Sequence, residues 1–143
     1  MLKKIKKIIL ILICINFLLI IGSNLKNSNC ELEIDAVSSV SMNDQEKLLV
    51  VANCNKIEDK TKFAKNILQK YIDNSFQSIR LSTDLQEGVT CLQVSVYMKE
   101  KQIKEGNPIM EIEYKLRRVS LGDNIRDTPE LVDIFIDGKR IGT

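Results

Sequence analysis

The sequence predicts an α+β fold in which an N-terminal hydrophobic segment precedes a two-layer domain, with one amphipathic helix packed on an antiparallel sheet. Three observations support this prediction. A lysine-flanked apolar run opens the chain, one internal segment has apolar residues at helical spacing, and several later segments alternate apolar and polar residues. We therefore divide the chain into a signal peptide or membrane anchor at 1–25, a polar spacer at 26–30 and one domain at 31–143.

The N-terminal segment has the parts of an export signal. Four closely spaced lysines precede an apolar stretch from Ile8 to Ile21 that only Asn16 interrupts, and two small residues follow it. A positive flank of this kind stays in the cytoplasm and directs the body of the chain outward. The stretch is shorter than the roughly 20 apolar residues of a comfortable bilayer span and fits the roughly 7 to 15 residues of a signal-peptide core. We therefore expect export.

The fate of the leader after export stays open between two alternatives. Cleavage after Ser23 would leave Ile21 at a position where signal peptidase prefers a small residue, which favours retention as an uncleaved anchor. A lipid-modified Cys30 is disfavoured, because the polar residues 27–29 separate it from the apolar run. The predicted location is the cell membrane with the body outside the cytoplasm, or secretion if the leader is cleaved.

The charge distribution argues against nucleic-acid binding. The chain has 21 basic and 19 acidic residues, and five of the basic ones precede every acidic one, so the body from Glu31 onward has 16 basic residues and a net charge of −3. Such a domain lacks the basic surface that binds nucleic acid. The predicted partners are the membrane, through the N-terminal segment, and an unidentified protein or envelope component.

Alternating apolar and polar residues predict the strands of the second half. The pattern is longest at 90–98 and 108–118 and recurs more briefly at 78–83 and 132–137. Asp137 and Gly138 form a type I′ turn signal that would fold the chain end back as a short edge strand. The predicted sheet is antiparallel.

A change of period predicts the helix. From Asp59 to Phe76 the apolar residues recur at spacings of three and four, with Asp59 as the N-cap. Upstream, residues 31–42 alternate weakly, and the continuous apolar run at 47–54 suits a central strand. The predicted order is strand, strand, helix and then four strands.

The sheet face that the helix leaves uncovered is the candidate interaction surface. Its residues combine mixed charges with two aromatic rings, and such a face is suited to docking a partner. Solvated cross-strand pairs are the alternative interpretation. The candidate residues are Arg80, Tyr97, Glu111, Glu113, Lys115, Arg117, Asp133 and Phe135.

The cysteines permit one internal disulfide in the body. Three of them, Cys30, Cys54 and Cys91, lie outside the apolar leader. Cys54 with Cys91 is the first candidate pair because both lie near predicted strand ends. The alternative is that both are small buried hydrophobic residues.

The residue inventory argues against catalysis. The chain has no histidine, which removes the usual nucleophile–base pairs and histidine-ligated zinc, and it has no glycine-rich phosphate loop. Glu111 and Glu113 lie two residues apart on a predicted strand, about 7 Å between backbones, a separation that suits an acid and a base. Alternating charges on an exposed strand need no catalytic explanation, so we expect no enzyme, no cofactor and no metal site.

The stretch from Tyr71 to Asp84, the lysine-flanked leader and the abundance of Ile, Lys and Asn provide one resemblance. In these features the chain resembles small exported or membrane-anchored proteins of unknown function from low-GC Gram-positive bacteria, which implies a bacterial cell-surface setting. Three functions follow as hypotheses. The first is a non-catalytic, membrane-tethered binding domain. The alternatives are an accessory subunit of a membrane complex and a carboxylate-dependent cell-wall enzyme.

Overall fold

One face of a six-stranded sheet packs against one long helix in the structure, a computed structural model that describes residues 30–82 and 88–141. The predicted anchor helix lies outside these residues. Within them, no helix combines the length and apolar character that a membrane crossing requires. The elements are α1 (Cys30–Glu33), β1 (Asp35–Met42), β2 (Gln45–Val51), α2 (Lys60–Ile72), β3 (Cys91–Tyr97), the 3₁₀ helix η1 (Glu100–Glu105), β4 (Met110–Leu116), the 3₁₀ helix η2 (Pro129–Leu131), β5 (Val132–Ile136) and β6 (Lys139–Ile141).

The strands follow one another across the sheet in the order in which they occur along the chain. Every neighbouring pair is antiparallel except β2 and β3, which are parallel. Parallel neighbours need a long crossover connection, and α2 lies in it. The α+β class is thus confirmed, whereas the prediction of a wholly antiparallel sheet is wrong at this one pair.

Helix α2 begins as predicted, because the Asp59 carboxylate accepts a 2.9 Å hydrogen bond from the backbone N–H of Lys62. It ends at Ile72, four residues before the predicted end. Asn74 has a positive φ of 49°, a left-handed conformation that a helix does not continue through. The buried stripe of the helix consists of Phe63, Ala64, Ile67, Leu68 and Tyr71.

The strand predicted at 78–83 is absent from its described residues, 78–82. Side chains bind the backbone groups that a strand would need for pairing. The Asn74 side chain exchanges two 2.9 Å hydrogen bonds with the backbone of Leu81, and the Asp35 carboxylate accepts from the N–H groups of Gln77 and Ser78. This segment is therefore an irregular connection held by polar side chains.

Alternation along the strands decides which face of the sheet meets α2. The apolar residues of β3 and β4 are buried on one face, and Tyr114 on that face donates a 2.7 Å hydrogen bond to the Ala64 carbonyl in α2. The residues that alternate with the core therefore point away from α2.

The predicted turn at the end of the sheet is confirmed, because Asp137 and Gly138 both have positive φ, 50° and 77°.

Candidate functional site

The sheet face opposite α2 forms the candidate site, which we call the open face. Cross-strand register places its central residues in one row, because each member lies directly opposite the next on the neighbouring strand. The row consists of Lys47 in β2, Gln93 in β3, Glu113 in β4, Phe135 in β5 and Arg140 in β6. Leu49, Ser95 and Glu111 form a second row beside it, and Lys115, Asp133 and Arg117 lie on the other side.

A depression of about 470 Å³ lies in the middle of the open face. It is open to solvent, and its lining mixes aliphatic, aromatic, neutral polar and charged groups. A volume in this range accommodates a small ligand or one large side chain of a partner. The lining residues are Lys47, Leu48, Leu49, Gln93, Ser95, Glu111, Ile112, Glu113, Phe135 and Gly138.

The two glutamates of the depression are oriented by different neighbours. The Ser95 hydroxyl lies within hydrogen-bond distance of both carboxylate oxygens of Glu111, at 3.1 and 3.0 Å. The backbone N–H of Glu111 donates to the Asp137 carboxylate at 3.0 Å, which ties β4 to the turn before β6. Glu113 accepts a 3.5 Å contact from the Cys91 thiol. Both carboxylates thus keep acceptor capacity for a ligand.

Cys91 is a buried free thiol beside this site. Burial, and then the hydrogen bond to Glu113, raises its pKa to about 11. The reactive form of cysteine is the thiolate, and a thiol with this raised pKa stays protonated at neutral pH. Cys91 therefore contributes packing and a weak hydrogen bond, and not a nucleophile.

Two arginines converge on one carboxylate at the rim of the open face. Arg140 Nη2 lies 2.7 Å from Asp133 Oδ1, and Arg117 contacts the same oxygen through Nε and Nη2, each at 3.1 Å. Burial opposes ionisation of Asp133, but the hydrogen bonds from Arg140 and Arg117 outweigh it and lower its pKa. The Asp133 carboxylate therefore stays ionised at neutral pH and holds both guanidinium groups in place.

The structure brings most of the predicted surface residues together. Glu111, Glu113, Lys115, Arg117, Asp133 and Phe135 share the open face. Tyr97 is on the same side but only 5% exposed, so it belongs to the packed end of the face. Arg80 is not on the sheet, because its segment forms no strand, and it donates a 2.8 Å hydrogen bond to the Asn74 carbonyl.

Five residues of the two central rows were not among the predicted ones: Lys47, Leu49, Gln93, Ser95 and Arg140. Gln93 and Ser95 alternate with buried residues in the same strand as Tyr97, so the pattern that identified Tyr97 contained their signal as well. Leu49 lies in the continuous apolar run of β2, Leu48 to Val51, and Lys47 directly precedes that run. A run without alternation does not show which residues face which side.

The disulfide joins Cys30 to Cys54, whereas the predicted pair was Cys54 with Cys91. The prediction is wrong because β2 and β3 are parallel. Cys91 starts β3 opposite Gln45, while Cys54 follows the far end of β2, beside Tyr97. Seven residues of strand separate these ends by about 20 Å, and a disulfide needs Cα atoms within about 7 Å.

A buried polar cluster lies on the opposite, helix-covered face. Glu46 is 0% exposed and accepts hydrogen bonds from the hydroxyls of Tyr71, at 2.7 Å, and Ser39, at 3.1 Å. The Arg126 guanidinium lies over the Tyr71 ring, 4.7 Å from its centre. Burial, and then the interaction with Glu46, raises the pKa of Tyr71. The cluster fixes α2 on β2 and is not reached from the open face.

No metal site is found in the part of the chain that the structure describes: it holds no group of three or more acidic or cysteine side chains suited to a cation. In the connection between β4 and β5, the Asn124 side-chain amide donates a 2.6 Å hydrogen bond to the Asp127 carboxylate, and the Asp123 carboxylate accepts a hydrogen bond from the backbone N–H of Ser120.

No protein-family model, curated protein or solved structure matches this chain.

Proposed function

We propose that this protein is an exported, non-catalytic domain, tethered to the membrane by its N-terminal segment, that binds a partner protein or an envelope component through the open face. The observation that carries the proposal is the depression in the centre of that face. It is lined by groups from four strands, including the aromatic ring of Phe135 and the charged ends of Lys47 and Glu113.

The chemistry of the open face supports binding. Interfaces between proteins combine an apolar centre with a polar rim and are enriched in aromatic residues and arginine. Here Phe135 and Leu49 supply half-buried apolar surface, whereas Arg117 and Arg140 are held at the rim by Asp133. Because those arginines are already oriented, a partner would bind them at a lower entropic cost.

The disulfide supports the proposed location. Disulfides persist in oxidising compartments outside the cytoplasm and are rare within it. Cys30 is the last residue of the proposed spacer, so its bond to Cys54 fixes the chain at the point where the tether would join the domain. A tether attached there would join the domain at Cys30, a residue that the disulfide fixes covalently to Cys54.

The proposed binding is tested with the full chain in its own host cells. A photoreactive amino acid replaces either Lys47, in the depression, or Lys65, an exposed lysine of α2 that serves as the matched control. We expect a cross-linked partner from position 47 and none from position 65, and we expect Phe135→Ala to reduce the yield from position 47. Equal adducts from both positions, or none from position 47, would contradict the proposal.

A further inference from the structure

The edge strand β1 presents an unusual amount of free backbone. It has eight residues, and in the described part of the chain β2 is its only strand neighbour. Its last four residues, from Ser39 to Met42, are exposed. An edge strand of this length displays a row of N–H and C=O groups that can pair with another strand.

The usual protection of an edge strand covers only the beginning of β1. A bulge interrupts its register between Ala36 and Ser38, but the pairing with β2 is regular from Ser38 to Met42. That regular stretch contains no charged residue and no proline. The other edge, β6, has three residues, two of them the charged Lys139 and Arg140, so it is protected in the ways that β1 is not.

Two large apolar side chains are exposed on the same stretch. Val40 is 62% exposed and Met42 is 65% exposed. Val40 lies directly opposite Lys47, so both side chains project on the open face and extend its central row to the sheet edge. A second strand laid along β1 would cover part of this apolar surface as well as pair the backbone.

We propose that β1 pairs with β1 of a second copy of this chain, antiparallel and centred on Val40, to form one continuous sheet. Two-fold antiparallel pairing sets the central residue of the strand against itself, so a charge at the centre would meet a like charge. The stretch from Ser38 to Met42 has no charged residue, so no charge repulsion opposes its pairing with a second copy. This centre places Val40 opposite Val40 of the second copy and Ser38 opposite Met42. The pairing does not depend on the proposed function.

The oligomeric state of the full chain tests this proposal. We expect the purified protein to show a dilution-dependent equilibrium between monomer and dimer in light scattering or sedimentation. Val40→Lys should raise the dimer dissociation constant by at least about tenfold, because two like charges then meet at the centre of the pair. The matched control is Val119→Lys, since Val119 is 63% exposed and lies between β4 and β5, away from β1. It should leave the equilibrium unchanged.

A cross-link locates the contact independently of charge. Val40→Cys should form a disulfide with its own copy on mild oxidation, whereas Val119→Cys, which retains the same native cysteines, should not. Circular dichroism that matches the unaltered chain shows that each variant folds. The proposal is overturned if the unaltered chain stays monomeric at about 100 μM, above the micromolar dissociation constants of weak interfaces. It is also overturned if the paired variants at positions 40 and 119 behave alike.

Discussion

Tyr71 of α2 donates a 2.7 Å hydrogen bond to the carboxylate of Glu46, a fully buried acidic residue of β2. A charged or polar group without partners in such a place costs several kcal/mol, so a hydrogen bond there stabilises the fold mainly by avoiding that cost. The contact also joins the end of α2 to the first half of β2. It therefore links the helix position to the sheet that carries the open face on its other side.

Tyr71→Phe removes this donor while keeping the ring. We expect the free energy of unfolding to fall by about 1 to 3 kcal/mol, because the buried Glu46 carboxylate loses one of its hydrogen-bond donors. The measurement is a denaturant midpoint compared with that of the unaltered chain. Tyr97→Phe is the matched control, since Tyr97 is buried but its hydroxyl has no hydrogen bond to the described residues. Equal losses in both variants would contradict the assigned role of the Tyr71 hydroxyl.

The two faces of α2 should respond very differently to truncation. Leu68 lies on the buried stripe, so Leu68→Ala is expected to lower the free energy of unfolding by about 2 to 5 kcal/mol through lost burial and a residual cavity. Lys65 is exposed, and Lys65→Ala should change the free energy of unfolding by less than about 0.5 kcal/mol. Chemical denaturation of both variants checks this, and equal shifts of the midpoint would show that the helix faces are assigned wrongly.

Local patterns predicted the local structure of this chain, whereas strand direction was outside their reach. The N-cap at Asp59, the turn at Asp137 and the alternation along β3 and β4 each depend on neighbouring residues. The direction of β3 relative to β2 depends instead on where α2 returns the chain, which no short pattern records. An antiparallel β3 would have placed its start beside the end of β2. The wrong strand direction therefore also led to the wrong disulfide partner for Cys54.

The residues of the candidate site were likewise predictable only where a local pattern assigned them to a face of the sheet. Residues of β4 and β5 were identified because alternation assigns them a face, while Lys47 and Leu49 were missed because the apolar residues of β2, Leu48 to Val51, are consecutive and assign no face. Arg80 was assigned to the sheet because its neighbours alternate over a few residues. In the structure Asn74 and Asp35 bind the backbone around it, and tertiary hydrogen bonds override so short a pattern.

The disulfide should contribute measurably to stability. It closes a loop between residues 24 apart in sequence, for which the chain-entropy model gives about 3 kcal/mol. We expect the double variant Cys30→Ser/Cys54→Ser to lose stability of this order, and we expect a reducing agent to lower the melting temperature of the unaltered chain but not of the variant. Cys91→Ala is the control, since Cys91 is free and should not alter the response to reduction.

Asp35 should give the protein part of its sensitivity to acid. Burial opposes ionisation of this carboxylate, but hydrogen bonds from the Ser78 hydroxyl and from the backbone N–H groups of Gln77 and Ser78 outweigh it, so its pKa is lowered from the ordinary 3.8. The unfolded chain therefore binds this proton more readily than the folded one. The stabilisation is fully present above about pH 4 and is lost as the pH falls through the lower folded pKa.

Asp35→Asn tests this assignment, because an amide does not titrate. The variant should be less stable than the unaltered chain at neutral pH, and the difference between them should shrink as the pH falls below about 4. Stability measured by denaturation at a series of pH values gives the comparison. A difference that stays constant down to the acid transition would show that Asp35 is not one of the groups responsible.

The leader is expected to act as an anchor whose centre tolerates no charge. If Ile8 to Ile21 is retained, a charged residue at Leu18 adds about 2.5 to 3.5 kcal/mol to membrane insertion and should sharply reduce membrane targeting. The same charge at Asn29, in the polar spacer, should have no effect on targeting.

Carbonate extraction, digestion by external protease and the mass of the N-terminal peptide measure insertion, orientation and retention. Chain that resists extraction, is digested from outside and keeps its first residues supports the tethered orientation. A body found in the medium that begins near Asn24 would instead show a secreted domain, which must reach its partner by diffusion.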